Sequence, residues 1–200
     1  IMNEPNKVDT GTCWYSDDVA ESMNRFLDQN RGNPDVEQHF KHFQNLLELI
    51  SHTYSKSYMI DIGCGTGYLQ EFCKGWLYTG ADLPNIIKGC LLRNYPKTIN
   101  AIELVFIEGS FSEGCFTGYN LTVINGVLDI MQHPIPFLEK ILKASSNYLI
   151  IHRQEITEVG ETRSKQFPSY NTYAYHSIIN RNDFNIIIEK HDFEIIKEEK

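Results

Sequence analysis

The apolar positions of the first fifty residues follow the period of an α-helix. Ser16 is suited to cap a helix whose apolar face carries Val19, Met23, Phe26 and Leu27. Asn33-Pro34 is a typical helix start, and behind it apolar residues recur at steps of four and three, at Val36, Phe40, Phe43, Leu47 and Ile50. This pattern predicts two amphipathic helices joined by a polar turn.

From residue 57 the pattern changes to short apolar runs that alternate with helical stretches. The apolar runs predict five strands, at 57–62, 76–82, 102–108, 120–125 and 147–152. Helices are expected between most of these strands, at 68–74, 85–94 and 134–143, and Gly75 is expected to be the C-cap of the first. Buried strands that alternate with helices favour an α/β fold, a three-layer sandwich in which helices cover both faces of a mostly parallel, doubly wound sheet.

The last quarter of the chain has a different character. Residues 153–177 are polar, dotted with aromatic residues and without a clear period, which predicts an irregular segment. A final helix is expected to start near Asn180, because Phe184, Ile187 and Ile188 then share one face. The alternating residues 193–196 predict one more strand.

Composition and charge narrow the possible functions. The 200 residues carry 18 basic and 26 acidic side chains, a net charge of −8, without a Lys/Arg run, so no nucleic-acid partner is expected. No stretch approaches the roughly 20 continuous apolar residues of a membrane span, and no signal peptide is visible. Five cysteines without CxxC or zinc-type spacing indicate reduced thiols, no metal site and a cytoplasmic location.

The main chemical signal is the string Asp-Ile-Gly-Cys-Gly-Thr-Gly at 61–67. A predicted strand runs into three glycines and then into a helix, where the backbone must turn tightly and let a ligand approach without a Cβ. The free N–H groups of the following helix suit an anionic group. A dinucleotide site requires GxGxxG, and Tyr68 occupies the position of the last glycine, which argues against an NAD-dependent reductase.

The string resembles the first motif of the class I S-adenosylmethionine (SAM)-dependent methyltransferases. The resemblance continues at Asp82, which ends the second predicted strand 19 positions after Gly63, and through residues 106–111 and 119–134. It spans roughly residues 57–152, about half of the chain. The family fold has seven strands, the last two antiparallel, whereas six are predicted here, so the last strand is expected to be missing.

The resemblance implies that SAM is the cofactor and assigns its contacts. Gly63, Cys64, Gly65 and Gly67 would frame the methionine end, and Asp61 would hold the loop or, through water, the amino group. Asp82 would take the ribose hydroxyls. The remaining contacts would be Leu83 and Phe111 beside the adenine, Ser110 near its amine (where the family usually has an acid), and Asn125 under the methionine.

The resemblance also divides the single domain, 1–200, into four parts. These are an N-terminal helical cap at 1–52, the SAM-binding core at 57–152, a cap or substrate loop at 153–178, and a terminal helix and strand at 179–200. Aromatic residues of the two cap parts are expected to line an acceptor pocket, namely Trp14, Tyr15, Tyr170, Tyr173 and Tyr175.

The expected activity is methyl transfer to an O or N atom of a small-molecule acceptor. A general base assists such transfer to a hydroxyl, and the candidates are His133 after the fourth strand, His152 at the end of the fifth, and then His176. His39 and His42 are interpreted as surface or packing residues of the second helix. Two alternatives stay open: a SAM-binding regulatory module without catalysis, and a methyltransferase that acts on a macromolecule.

Overall fold

The two N-terminal helices form as the apolar pattern predicts. The computed structural model describes residues 12–51, 57–98, 100–104, 114–145, 147–169 and 172–199. After a 3-10 turn at Thr12–Tyr15 come α1, Asp17–Asn30, and α2, Pro34–Ser51. The Ser16 side chain accepts a hydrogen bond from the backbone N–H of Asp18 at 3.1 Å and so caps α1.

A five-stranded parallel sheet forms the centre of the molecule. Its strands, in spatial order, are β3 (Asn100–Glu103), β2 (Trp76–Asp82), β1 (Ser57–Ile62), β4 (Leu121–Asn125) and β5 (Tyr148–His152). The order reverses between β1 and β4, and the crevice above such a reversal is the usual ligand site of an open α/β sheet. The third strand was expected at 102–108 but begins at Asn100 and ends at Glu103, and residues 105–113 lie outside the described residues.

Helices cover both faces of the sheet, which confirms the predicted three-layer α/β class. Because neighbouring side chains of a strand point to opposite faces, β1 directs Met59 towards α2 and Ile60 towards the opposite layer. On the first face Met59 packs with Phe43 and Leu47 of α2. The opposite layer contains α1, α5 (Pro134–Ala144) and α6 (Arg181–Lys190).

The helices between the early strands depart from the prediction in detail. The glycine loop is followed by a 3-10 turn, Tyr68–Phe72, with Cys73 as its C-cap. The prediction was a helix over 68–74 with Gly75 as its C-cap. The next stretch is helical from α3 (Pro84–Ile86) through a π-helical turn at Ile87–Leu91 to α4 (Leu92–Asn94). Among the helices of the described residues, none is long and apolar enough to cross a membrane.

Residues 153–177 were predicted to be irregular, and this expectation was wrong. They contribute β6 (Ile156–Thr157), β7 (Arg163–Ser169) and most of β8 (Thr172–Asn180), which form a second, three-stranded sheet. The hairpin of β7 and β8 is fixed to the loop after β4 by two hydrogen bonds. The hydroxyl of Ser164 donates to the backbone carbonyl of Gln132 at 2.6 Å, and the hydroxyl of Ser177 donates to the backbone carbonyl of Met131. Strand β7 is mostly exposed, so its sequence lacks the alternation that marks a half-buried strand.

The end of the chain confirms one prediction and contradicts another. Asn180 caps α6, since its side-chain oxygen accepts from the backbone N–H of Asn182 at 2.8 Å. The predicted strand at 193–196 does not form in the described structure, where residues 193–199 have no regular secondary structure and Ile195 and Ile196 are exposed. Alternation alone does not make a strand without a neighbouring strand to supply hydrogen bonds.

The packing of α6 gives a testable prediction. Ile187 is buried in the core while its neighbour Ile186 is 55% exposed. We expect Ile187→Ala to lower the free energy of unfolding by about 2–5 kcal/mol, the cost of a core cavity. The matched control Ile186→Ala should change it by no more than about 0.5 kcal/mol. Denaturant unfolding measures both, and equal losses in the two variants would contradict this packing.

Candidate functional site

A cavity of about 720 Å³ opens where the carboxyl ends of β1, β2 and β4 meet. Its floor comes from the glycine loop and the strand ends, and its walls come from α1, α2 and the 3-10 turn at Leu128–Ile130. This is the crevice that the reversal of strand order creates. Its size lies within the range of small-molecule and cofactor sites.

The glycine loop has the conformation that its sequence requires. Gly63, Gly65 and Gly67 all have positive φ, at 74°, 55° and 75°. A Cβ on Gly63 would lie 2.5 Å from Cγ2 of Val127, and one on Gly67 would lie 2.3 Å from Cδ1 of Leu91. Any other residue would therefore be strained in the backbone and would require Val127 or Leu91 to shift.

Asp82 holds this loop against the second strand. One of its carboxylate oxygens accepts the backbone N–H of Gly65 at 2.8 Å and the other accepts that of Leu83 at 2.7 Å. Burial raises the pKa of Asp82 to about 6, although the two hydrogen bonds act in the opposite direction. Since each carboxylate oxygen has two lone pairs, both oxygens can still accept a ligand hydroxyl at the cavity wall.

Asp61, at the end of β1, has an unused acceptor in the same wall. Its Oδ2 accepts the hydroxyl of Tyr78 at 2.7 Å, while its Oδ1 is buried and has no hydrogen-bond partner among the described residues. Burial raises the pKa of Asp61 to about 7. An unpaired buried carboxylate oxygen is costly, and a ligand that brings a cation or a donor would satisfy it.

Asn125 and His152 lie on neighbouring strand ends beside this wall. The side-chain oxygen of Asn125 is 3.0 Å from Nδ1 of His152, and Asn125 lines the cavity. Burial, with contributions from Arg153, His39 and His42, lowers the pKa of His152 to about 4. The imidazole is therefore neutral at pH 7.

Some of the other predicted site residues lie at the cavity, and others lie away from it or outside the described residues. Cys64 and Leu83 line the cavity, Gly67 shapes the loop behind it, and Ser110 and Phe111 lie outside the described residues. His133 is exposed at the N-cap of α5, beside a separate pocket of about 130 Å³. The structure therefore does not bring His133 to the cavity.

Of the expected cap residues, few reach the cavity. Trp14 lines it, whereas Tyr15 is exposed and Tyr170 lies outside the described residues. Tyr173 and Tyr175 contact one another on β8, with ring centroids 5.7 Å apart, and are not among the described lining residues. His176 is exposed on β8 and lies 3.9 Å from a carboxylate oxygen of Glu155.

Most of the wall is supplied by residues to which the sequence analysis gave no role in a site. They lie on the two N-terminal helices and are mainly apolar: Met23, Phe26, Leu27, Val36, His39 and Phe40. His39 follows Val36 by three residues and precedes Phe43 by four, so it shares the apolar face of α2. That spacing was the available signal that the exposed side chain of His39 lies on the face of α2 that borders the cavity.

Structural comparisons identify the fold. No protein-family model matches the sequence, and a search of curated proteins gave no match. The structure resembles 1,6-didemethyltoxoflavin-N1-methyltransferase of Burkholderia thailandensis, solved with 1,6-didemethyltoxoflavin and S-adenosylhomocysteine, with a TM-score of 0.55 and 14% identity over 90% of this chain and 80% of that one.

Two further solved structures show the same likeness. Magnesium protoporphyrin IX methyltransferase of Synechocystis, with bound S-adenosylhomocysteine, gives a TM-score of 0.52 and 13% identity over 80% of this chain and 75% of that one. DesVI of Streptomyces venezuelae gives a TM-score of 0.54 and 11% identity over 86% of this chain and 89% of that one. The chain therefore has the fold of the class I SAM-dependent methyltransferases.

The raised pKa of Asp61 predicts a pH dependence of stability. Its folded-state pKa of about 7 exceeds the ordinary 3.8, so the native state keeps a proton that the unfolded chain releases. The free energy of unfolding should therefore fall as pH rises from about 4 to about 7. Asp61→Asn keeps an acceptor for Tyr78 and removes this charge. The difference in the free energy of unfolding between this variant and the wild type should therefore favour the variant more at pH 8 than at pH 4.

Denaturant unfolding at the two pH values measures this difference. The control is Glu21→Gln, which removes an exposed carboxylate on α1 and should change stability equally at both pH values. A constant difference between Asp61→Asn and wild type across the range would show that Asp61 is ionised without cost in the fold.

Proposed function

We propose that the chain is a SAM-dependent methyltransferase that transfers a methyl group to an O or N atom of a small molecule. The observation that carries the proposal is the contact between Asp82 and Gly65, which joins the GxGxG loop to the acid of the next strand at the cavity wall. This pairs a backbone cradle with an acceptor for ribose hydroxyls. Two proteins of the same fold were solved with S-adenosylhomocysteine bound, which supports this choice of cofactor.

The residues present fit SAM in three respects. Gly63 and Gly65 line the cavity without a side chain of their own, Oδ1 of Asp61 suits the methionine ammonium, and Asp82 suits the ribose. Leu83 and Asn125 line the same cavity, and the family resemblance is the ground for proposing them as contacts of the adenine and of the methionine portion. Ser110 and Phe111 are proposed as adenine contacts from the family resemblance alone. When bound, the cofactor supplies a methyl group already activated on a sulfonium.

The chain's own contribution to the reaction is positioning and exclusion of water. The 3-10 turn before α1, the helices α1 and α2 and the segment after β4 line the cavity with apolar side chains, namely Trp14, Phe26, Phe40, Ile130 and Met131. Such walls favour an acceptor with an apolar body and few polar groups. Holding an acceptor in line with the methyl group contributes about 7–11 kcal/mol in well-aligned reactions.

The two predicted catalytic histidines differ in how the structure supports them. His152 stays a candidate for assisting proton removal because it is joined to the cavity through Asn125. His133 stays a prediction without structural support, since it borders the separate pocket. The five cysteines, all of them among the described residues, form no disulfide with one another, which supports the proposed cytoplasmic location.

Calorimetric titration with SAM and S-adenosylhomocysteine tests the cofactor, with NAD as the control ligand. We expect both to bind and NAD not to bind. Asp82→Asn should weaken binding by about 10–100-fold, because a hydrogen bond to a charged acceptor contributes about 1.5–3 kcal/mol. The control Asp28→Asn alters a carboxylate of α1 outside the cavity lining and should leave affinity unchanged.

The result separates the competing functions. Binding of SAM with formation of S-adenosylhomocysteine from added small acceptors supports the enzyme. Binding without turnover on small or macromolecular acceptors would favour a SAM-binding regulatory module instead. Turnover confined to protein or RNA acceptors would favour a macromolecular substrate. Binding of NAD alone would contradict the proposed cofactor.

A further inference from the structure

His39 of α2 and His152 of β5 face one another beside the cavity. Their ring centroids are 6.4 Å apart and the rings are nearly perpendicular, at 68°. His39 lines the cavity, whereas His152 lies behind it, with its ring centroid 6.0 Å from that of Phe43. His42, one turn further along α2, is not among the described lining residues and instead lies 3.3 Å from a carboxylate oxygen of Glu199.

The contact with Asn125 decides which nitrogen of His152 carries the proton. A side-chain carbonyl oxygen accepts hydrogen bonds and cannot donate them, so Nδ1 of His152 must be protonated to bond to Asn125 Oδ1 at 3.0 Å. Because the ring is neutral, its Nε2 keeps a free lone pair. With its oxygen as the acceptor, Asn125 orients His152 and favours the Nδ1-protonated tautomer.

The charges around His152 disfavour a positive charge on its ring. Arg153, His39 and His42 all disfavour a charge on His152, and Arg153 follows it directly at the end of β5. On the cavity side, Asp35 lies one turn before His39 on α2, and Arg153 lines the same cavity. If an extra proton enters the pair, the more exposed His39 is therefore its place, since a buried imidazolium costs more free energy than an exposed one.

We propose that His39 accepts the proton of the acceptor group and that His152, held by Asn125, positions it. The inference rests on the proposed methyltransferase function. The O–H or N–H bond of the acceptor breaks, and the electron pair of its oxygen or nitrogen forms the new bond to the methyl carbon. The electrons of the methyl–sulfur bond stay on sulfur. The proton passes to an imidazole nitrogen of His39 and leaves to solvent across its exposed edge.

Other side chains of the described cavity lining are less suited to this role. Asp61 and Asp82 already accept hydrogen bonds from Tyr78, Gly65 and Leu83 and are proposed to bind the cofactor. The guanidinium of Arg153 cannot lose its proton at ordinary pH and so cannot accept one. Imidazole is the side chain whose unperturbed pKa lies near neutral pH, where a base works best.

Imidazole NMR titration of the full chain, free of ligand, tests the pair directly. We expect His152 to show the Nδ1-protonated tautomer, and His39→Gln to raise the pKa of His152 by about half a unit, the size of a Coulomb effect at this separation in water. The matched variant His42→Gln, on the same helix, should cause a smaller shift. Addition of S-adenosylhomocysteine should move the ring resonances of His39 more than those of His42.

Turnover gives a second measurement. With SAM and the best acceptor from a set of phenols, His39→Gln should lower kcat at pH 7 by about 100-fold with unchanged affinity for SAM. His152→Asn should displace the pH profile of kcat as well as lower it, which a purely structural role would not do. His42→Gln should retain wild-type kcat.

The outcomes distinguish the two proposals. Independent titration of His39 and His152 in a chain that binds S-adenosylhomocysteine would overturn the pair and leave the proposed function intact. Wild-type kcat in His39→Gln would do the same. Failure of the wild-type chain to bind S-adenosylhomocysteine would contradict the proposed function itself, whatever the titrations show.

Discussion

The hydrogen bond from the backbone N–H of Gly65 to the buried carboxylate of Asp82 is the contact on which the site depends. It joins the loop after β1 to the end of β2, and the backbone N–H groups of Gly63 and Cys64 reinforce it by donating to the carbonyl of Ala81 at 2.7 and 3.2 Å. These bonds hold the loop in a conformation that only glycine adopts without strain. The floor of the cavity is therefore fixed before any ligand arrives.

This arrangement places two carboxyl groups in a region that disfavours their charge. Burial raises the pKa of both Asp61 and Asp82, and one oxygen of Asp61 has no partner within the part of the chain that the structure describes. A sequence selected for stability alone would not keep an unpaired buried acceptor, and such departures are expected where a protein binds a ligand. The same reasoning applies to Arg153, a non-glycine residue with a φ of 61° at the cavity edge.

The sequence predicted the parts of the structure that local pattern determines. Strands β1 and β2, the glycine loop and the place of Asp82 followed from buried apolar runs and from residues that must turn tightly. The hairpin of β7 and β8 did not, because β7 is mostly exposed and because Ser164 and Ser177 fix the hairpin to residues that lie 32 and 46 positions earlier in the chain. The strand expected at 193–196 was wrong for the converse reason, since alternation there has no neighbouring strand to satisfy it.

The cavity walls could not be predicted from local sequence patterns either. Contacts between segments that are distant in sequence explain why α1 and α2 belong to the site. Glu37 of α2 accepts the hydroxyl of Tyr68 at 2.6 Å and the backbone N–H of Gly32, in the turn before α2, at 2.9 Å. Tyr68 directly follows the last glycine of the loop, so the junction of α1 and α2 is attached to the same segment that forms the cavity floor. Floor and wall are therefore joined directly, and His39 lies on the helix that this attachment holds, two residues after Glu37.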